Sequence, residues 1–359
     1  MHHWWMERQQ ELKTLAEETL PLLVYSEEIL NEAFFDLLTV RSVERVFESA
    51  EAAPHPGILQ TALKLGAGFQ CTTLAEMQHL LARFPDLDPR CLLFVPARAT
   101  REEYGQALKF GVSVVAGTEA WMSCPDIFER RPVFRRIRIR SDTLTLEKSV
   151  SAFPFEAAGI YLEIQGRQIP PVDLKYLIPA LHERAGFLPD RHALCLGGGI
   201  GLPIHPERDS IMIPTLSDQL DDIVEHYAGL RIWVEPGRHL ISHAGILLVR
   251  GTNSRGNDGK NGGRLNLLKK LMGRCAAEGI LSAMYTLTGP DLEPQSLIRG
   301  ATGGDSPEGL WKPGFLSSTQ EEDIFLITNQ GGACAHAEGV LGSVAKHVLK
   351  ARRICQVKL

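Results

Sequence analysis

The sequence predicts an α/β fold, a (β/α)8 TIM barrel of parallel strands carrying a second, smaller and mainly β domain. Three observations point to it. Short apolar runs alternate with amphipathic helical stretches from about residue 43 to 235, and eight such runs can be counted. Two of the runs end in glycine or in a turn that carries charge, as strands do where they open on a barrel mouth. Beyond Ala244 the alternation gives way to short strands and glycine-rich turns, the texture of a β domain. The expected boundaries are residues 1–25 for an N-terminal helix and strand that join the β domain, 26–243 for the barrel and 244–359 for the C-terminal β domain.

Residues 7–20 have the charge and leucine spacing of a helix, and Leu22–Tyr25 reads as a strand. The first barrel strand is Val43–Ser49, and the helix after it opens on Pro56 and stops at Gly66. Gly68–Thr73, Cys91–Pro96 and Val112–Gly117 are the next strands, with helices from Leu74 to about Arg83 and from Glu102 to Phe110 between them. Phe134–Arg140 alternates arginine with isoleucine, so one face of the fifth strand is wet or turned towards an anion. Residues 141–157 contain Pro154 and little helical period, so a helix there is short or missing. Gly159–Ile164 is the sixth strand, with a helix from about Val172 to Arg184. The seventh strand runs into Gly197, and its helix covers about Ser217 to Tyr227. Arg231–Glu235 is the eighth; Gly245–Gly251, Asp323–Thr328 and Ile354–Lys358 belong to the β domain.

Composition is that of a soluble globular protein, with 44% apolar and 23% charged residues. A formal charge of −5 without a long run of one sign argues against nucleic acid and anionic membranes as partners. The seven cysteines are scattered and form no CxxC pair, which reads as reduced thiols. No signal-peptide run or stretch of 18 apolar residues occurs, so a cytoplasmic location is expected. His239 and His243 have the i, i+4 spacing of metal ligands but no third ligand accompanies them, and no metal site is expected.

The chemistry concentrates at the ends of the seventh and eighth strands. Gly197, Gly198, Gly199 and Gly201 form a loop almost without β-carbons, in which backbone N–H groups can close on a phosphate. Glu235, Gly237 and Arg238 follow the next strand, and Glu235 and Arg238 either face the same anionic ligand or pair with each other. The glycine triplet has a plainer reading as a tight turn, His55 as a loop histidine, and Glu51 as a solvated residue at a strand end.

The order of these pieces resembles the group IV pyridoxal-phosphate decarboxylases, most of all the diaminopimelate decarboxylases. The form it is most similar to is the decarboxylase half of a bifunctional aspartate kinase/diaminopimelate decarboxylase; no kinase half precedes it here, and no kinase activity is expected. The matching runs are Trp4-Trp5, Val46-Phe47 with Ala52 to Pro56, Gly66 to Phe69, Gly197 to Gly201, Glu235 to Arg238 and Ala244 to Arg250. The resemblance implies an alanine-racemase-type barrel, a β domain, and a dimer whose active site lies at the subunit interface. It implies that Gly197, Gly198 and Gly199, with Gly237 and Arg238, hold the cofactor phosphate, and that Glu235 faces the pyridine nitrogen.

The departures from the family lie on that same site. Glu51 stands where the family has the lysine that forms a Schiff base, and a carboxylate cannot form one. Glu163 stands where the family's histidine stacks on the cofactor ring. Gly300–Asp305 replaces the Cys-Glu-Ser run, Ala333 replaces a cofactor-contacting tyrosine, and Lys269 corresponds only loosely to the substrate-binding arginine.

Three readings of function follow. One is a degenerate relative without Schiff-base chemistry, a homodimer or a partner of an active paralogue, with any pyridoxal phosphate held non-covalently beside a small anion or amino acid. Another is a working diaminopimelate decarboxylase of lysine biosynthesis with a relocated lysine. The last is an enzyme that reuses the phosphate cradle, with Glu51 and Glu163 as paired carboxylates.

Overall fold

A computed structural model of the chain describes residues 3–52, 55–129, 131–140, 157–165, 174–198, 212–250, 282–288, 296–298, 323–331 and 345–350. The chain forms two compact units, one of Met1–Glu32, His55–Ile58 and Leu240–Leu359, the other of Ala33–Pro54 and Leu59–His239. Strand β1 (Leu22–Ser26) precedes the barrel strands β2 (Val43–Ser49), β3 (Gly68–Cys71), β4 (Leu92–Phe94) and β5 (Ser113–Ala116). These are followed by β6 (Val133–Arg140), β7 (Gly159–Gln165), β8 (Ala193–Gly197) and β9 (Arg231–Glu235). Then come β10 (Gly245–Arg250), β11 (Ser282–Thr286), β12 (Ser296–Ile298), β13 (Ile324–Ile327) and β14 (Ala345–Leu349).

Strands β2 to β9 close into a parallel barrel in chain order. Its register sets side chains in rows across neighbouring strands. Arg136, Tyr161, Cys195 and Trp233 share one row, and Arg138, Glu163, Gly197 and Glu235 share the next row towards the carboxyl ends. Below the mouth the interior is filled by Phe47, Phe134, Tyr161 and Trp233, with Trp233 ring centroids 4.8 Å from Phe134 and 5.5 Å from Phe47. Such packing makes the barrel a core rather than a pore, and leaves the mouth as the place for chemistry.

The other unit is built on a six-stranded sheet in the order β12-β11-β13-β10-β1-β14, antiparallel except where β14 lies parallel to β1. One face of it is covered by Trp5, Leu12 and Ala16, from the 3-10 turn Trp4–Arg8 and helix α1 (Gln9–Glu18). Trp4 Nε1 donates to the His243 carbonyl at 3.0 Å, which gives the amphipathic indole a polar anchor at the edge of that core.

Helix α2 (Glu27–Leu38) follows β1, in a stretch to which the sequence reading assigned no element; its signal is Leu30, Phe34 and Leu37, all fully buried at i, i+4, i+7 spacing. The barrel helices are α3 (Pro56–Lys64), α4 (Leu74–Arg83), α5 (Arg101–Phe110), α6 (Thr118–Ser123), α7 (Pro125–Phe128), α8 (Leu174–Ala185) and α9 (Met212–His226). Capping boxes at Thr73 and Thr100 start α4 and α5, each satisfying two orphan backbone donors. Helix α9 begins five residues before its expected start because Pro214 falls in the first turn, where its missing N–H costs nothing. Of the other expectations, residues 141–156, the strand at 354–358 and the positions Lys269, Gly300–Asp305 and Ala333 lie outside the described residues. Among the described residues no helix is long and apolar enough to cross a membrane.

Candidate functional site

The row at the mouth brings three of the sequence-selected positions onto adjacent strands, with Glu163 beside Gly197 and Gly197 beside Glu235. At Gly197 an added β-carbon would lie 2.2 Å from Tyr161 Cζ, so only glycine admits the tyrosine ring there. Gly198 adopts φ +73°, a left-handed turn that suits glycine, and its N–H donates to the Glu235 carbonyl at 2.7 Å. That amide therefore serves the β8–β9 ladder. Gly199 and Gly201 lie outside the described residues. Gly237 and Arg238 occupy the 3-10 turn Gly237–His239 directly after β9.

Glu235 is buried, and its carboxylate is engaged from inside the protein. Tyr161 Oη donates to Glu235 Oε2 at 2.8 Å, and the Gly237 amide donates to the same carboxylate. Burial pushes the Glu235 carboxyl up to about 7, the charge of Glu163 acts in the same direction, and the two hydrogen bonds oppose them. Burial first and the Glu235 charge second push the Tyr161 phenol well above its ordinary range, so it stays a donor at neutral pH. Beside it Cys195, buried and raised by the same two causes, remains a neutral thiol.

The two carboxylates singled out by the sequence, Glu163 and Glu51, have their own partners. Glu163 Oε2 accepts from Arg138 Nε at 3.1 Å and lies 3.7 Å from Arg136 Nε. Arg136 is fixed further by donation from Nη2 to the Pro96 carbonyl at 2.8 Å. Glu51 is exposed in the turn after β2, where Thr72 Oγ1 lies 3.4 Å away while making a shorter, 3.1 Å bond to Glu76. His55 Nδ1 accepts from the Gly57 amide at 3.1 Å and so caps the start of α3, the loop reading of that histidine.

These residues do not fit a lysine-linked pyridoxal phosphate. The turn after β2 offers the carboxylate of Glu51 and no amine, Glu163 is tied to Arg136 and Arg138, and Glu235 already accepts from Tyr161 and Gly237. What the mouth offers instead is a buried carboxyl poised near neutral pH beside a phenol, and arginines aimed at the opposite arc. Sequence reasoning missed Tyr161. Its one signal is the alternation of β7, which puts Tyr161 and Glu163 on the same inward face.

No family model matches the chain. Over an alignment of 359 residues it is 22% identical to the diaminopimelate decarboxylase of Campylobacter jejuni, covering 89% of this chain and 87% of that enzyme. Over 237 residues it is 28% identical to the diaminopimelate decarboxylase of Pseudomonas aeruginosa, covering 56% of each. Among solved structures, the arginine decarboxylase of Paramecium bursaria Chlorella virus superposes with a TM-score of 0.68 at 15% identity, covering 96% of this chain and all of that one. The lysine/ornithine decarboxylase of Vibrio vulnificus superposes with a TM-score of 0.66 at 14% identity, covering 96% and 97%. By sequence the chain is similar to the diaminopimelate decarboxylases, and by fold to amino-acid decarboxylases built as an alanine-racemase-type barrel with an added β sheet.

Proposed function

We propose that this chain is a decarboxylase-like protein that does not carry out lysine-dependent pyridoxal-phosphate chemistry and acts as a binding or regulatory subunit, paired with a second copy of itself or with an active relative. The observation that carries the reading is the hydrogen bond from Tyr161 to Glu235, by which the protein itself engages the buried carboxylate that the resemblance assigns to a cofactor ring. Glu51 in the turn after β2 supports it, because an acid there supplies no nucleophilic amine. Pyridoxal phosphate, if supplied, is then held non-covalently or not at all.

The test is to add pyridoxal phosphate to the purified protein, record the visible spectrum before and after borohydride, and digest the product for a labelled lysine. The expected result is no specific lysine adduct and no release of CO2 from diaminopimelate. A single trapped lysine with CO2 release overturns the reading. That outcome would favour the second reading, a working decarboxylase with a relocated lysine, which rests on the 22% identity maintained over 89% of the chain. Gel filtration, alone and with an active diaminopimelate decarboxylase, checks the pairing.

A further inference from the structure

Across the barrel from the glycine turn, the carboxyl ends of β4, β5 and β6 enclose a cavity of about 690 Å3. Its wall contains Arg98, Arg101, Arg135, Arg136 and Arg138, against Glu119 as its acidic residue. The chain as a whole carries −5, so this concentration of guanidinium groups runs against its overall charge.

The arginines come from a loop, a helix start and a strand. Arg98 lies between β4 and α5, Arg101 opens α5, and the other three lie on β6. Arg101 forks onto Asp126, with Nη1 2.7 Å from Oδ1, while Arg136 and Arg138 share Glu163. Arg98 enters no ion pair among the described residues, so these four guanidinium groups draw on two partner carboxylates. Arg135 does not belong to the wet alternation expected for this strand: it sits on the other face, at 1% exposure. Burial lowers its pKa to about 10, which leaves it charged at neutral pH. Thr118, Ser123 and Tyr104 also line the cavity.

We propose that this cavity is a binding site for a small organic anion whose carboxylate or phosphate oxygens are taken by Arg98 together with the β6 arginines. Planar guanidinium forks match both oxyanions, and the cavity has the size of a metabolite site rather than of a single-ion site. The proposal uses neither the glycine turn nor Glu235, and shares with the mouth only Arg136 and Arg138, the partners of Glu163.

The test measures binding of inorganic phosphate and of succinate to the full chain by calorimetry, with acetate as the monoanion control. At least one of the first two is expected to bind with a Kd at or below about 1 mM. Arg98→Ala is expected to weaken that binding about tenfold or more, while Arg98→Lys restores part of it and Arg83→Ala, exposed at the end of α4 and outside the cavity wall, leaves it unchanged. Which of the two binds tells a phosphate site from a carboxylate site. Phenylglyoxal labelling mapped by mass spectrometry gives a second readout on the unaltered protein: the bound anion should shield Arg98 and Arg138. The proposal is overturned by no binding of either anion, by binding that Arg238→Ala abolishes and Arg98→Ala leaves intact, or by labelling of Arg98 and Arg138 that the bound anion does not change.

Discussion

The Tyr161 hydroxyl donates to Glu235 Oε2 at 2.8 Å, joining the middle of β7 to the end of β9 across the intervening strand β8. The bond closes the floor of the mouth with a buried phenol and a buried carboxyl, each of which shifts the other's proton affinity.

Tyr161→Phe removes the donor and keeps the ring. The carboxylate then loses a hydrogen bond that had been lowering its pKa, so Glu235 should titrate above 7, and stability at pH 8 should fall by about 1–3 kcal/mol. At pH 5, where Glu235 is protonated in both proteins, the loss should be smaller. Guanidinium unfolding at the two pH values measures both.

The same carboxyl sets a pH dependence whose sign is fixed. Its pKa is about 7 when folded and near 4.5 when unfolded, so the native state binds the extra proton between those values. The carboxyl's contribution to stability should therefore be fully present below about pH 4.5, be lost as pH rises through about 7, and be smaller by about 3 kcal/mol beyond it. Glu48, fully buried and raised by burial and by the Glu235 charge, acts in the same direction and extends the decline. Melting temperatures from pH 5 to 8 should fall, and Glu235→Gln should flatten the profile.

Gly197→Ala places a methyl 2.2 Å from Tyr161 Cζ and 2.3 Å from its oxygen. Overpacking of this kind costs about 1–3 kcal/mol or more, because neither β8 nor the tyrosine can retreat within a filled barrel. In a double-mutant cycle with Tyr161→Ala the two costs should be clearly less than additive, since the truncated side chain makes room for the methyl.

Trp5→Ala tests the other unit. Trp5 is 1% exposed and its ring centroid lies 4.6 Å from that of Tyr285. Its truncation should cost about 3–5 kcal/mol, read as a lower denaturation midpoint and as faster proteolysis of the N-terminal segment.

The elements that could be read in advance are those whose signal is local. Apolar runs of strand length, the proline opening α3 and the glycine at position 66 that follows it are each written within a few residues. That the ends of β8 and β9 lie side by side was legible as adjacent barrel repeats, but not that the Gly198 amide is spent on the Glu235 carbonyl. Strands β11, β12 and β14 were not, because three to five residues of ordinary composition become strands only by pairing; β14 lies beside β1, more than three hundred residues earlier.

By itself, then, the sequence determined the barrel, the presence of a smaller β domain beside it in the chain and the absence of a lysine from the turn after β2, since these depend on pattern and residue identity alone. Only the tertiary structure decided that Tyr161 satisfies Glu235, that Arg135 turns away from the arginines beside it in sequence, and that Arg98 and Arg101 meet the β6 arginines around one cavity. Such pairings are set by barrel register and strand order, which place residues tens of positions apart within hydrogen-bonding distance and leave no local trace in the chain.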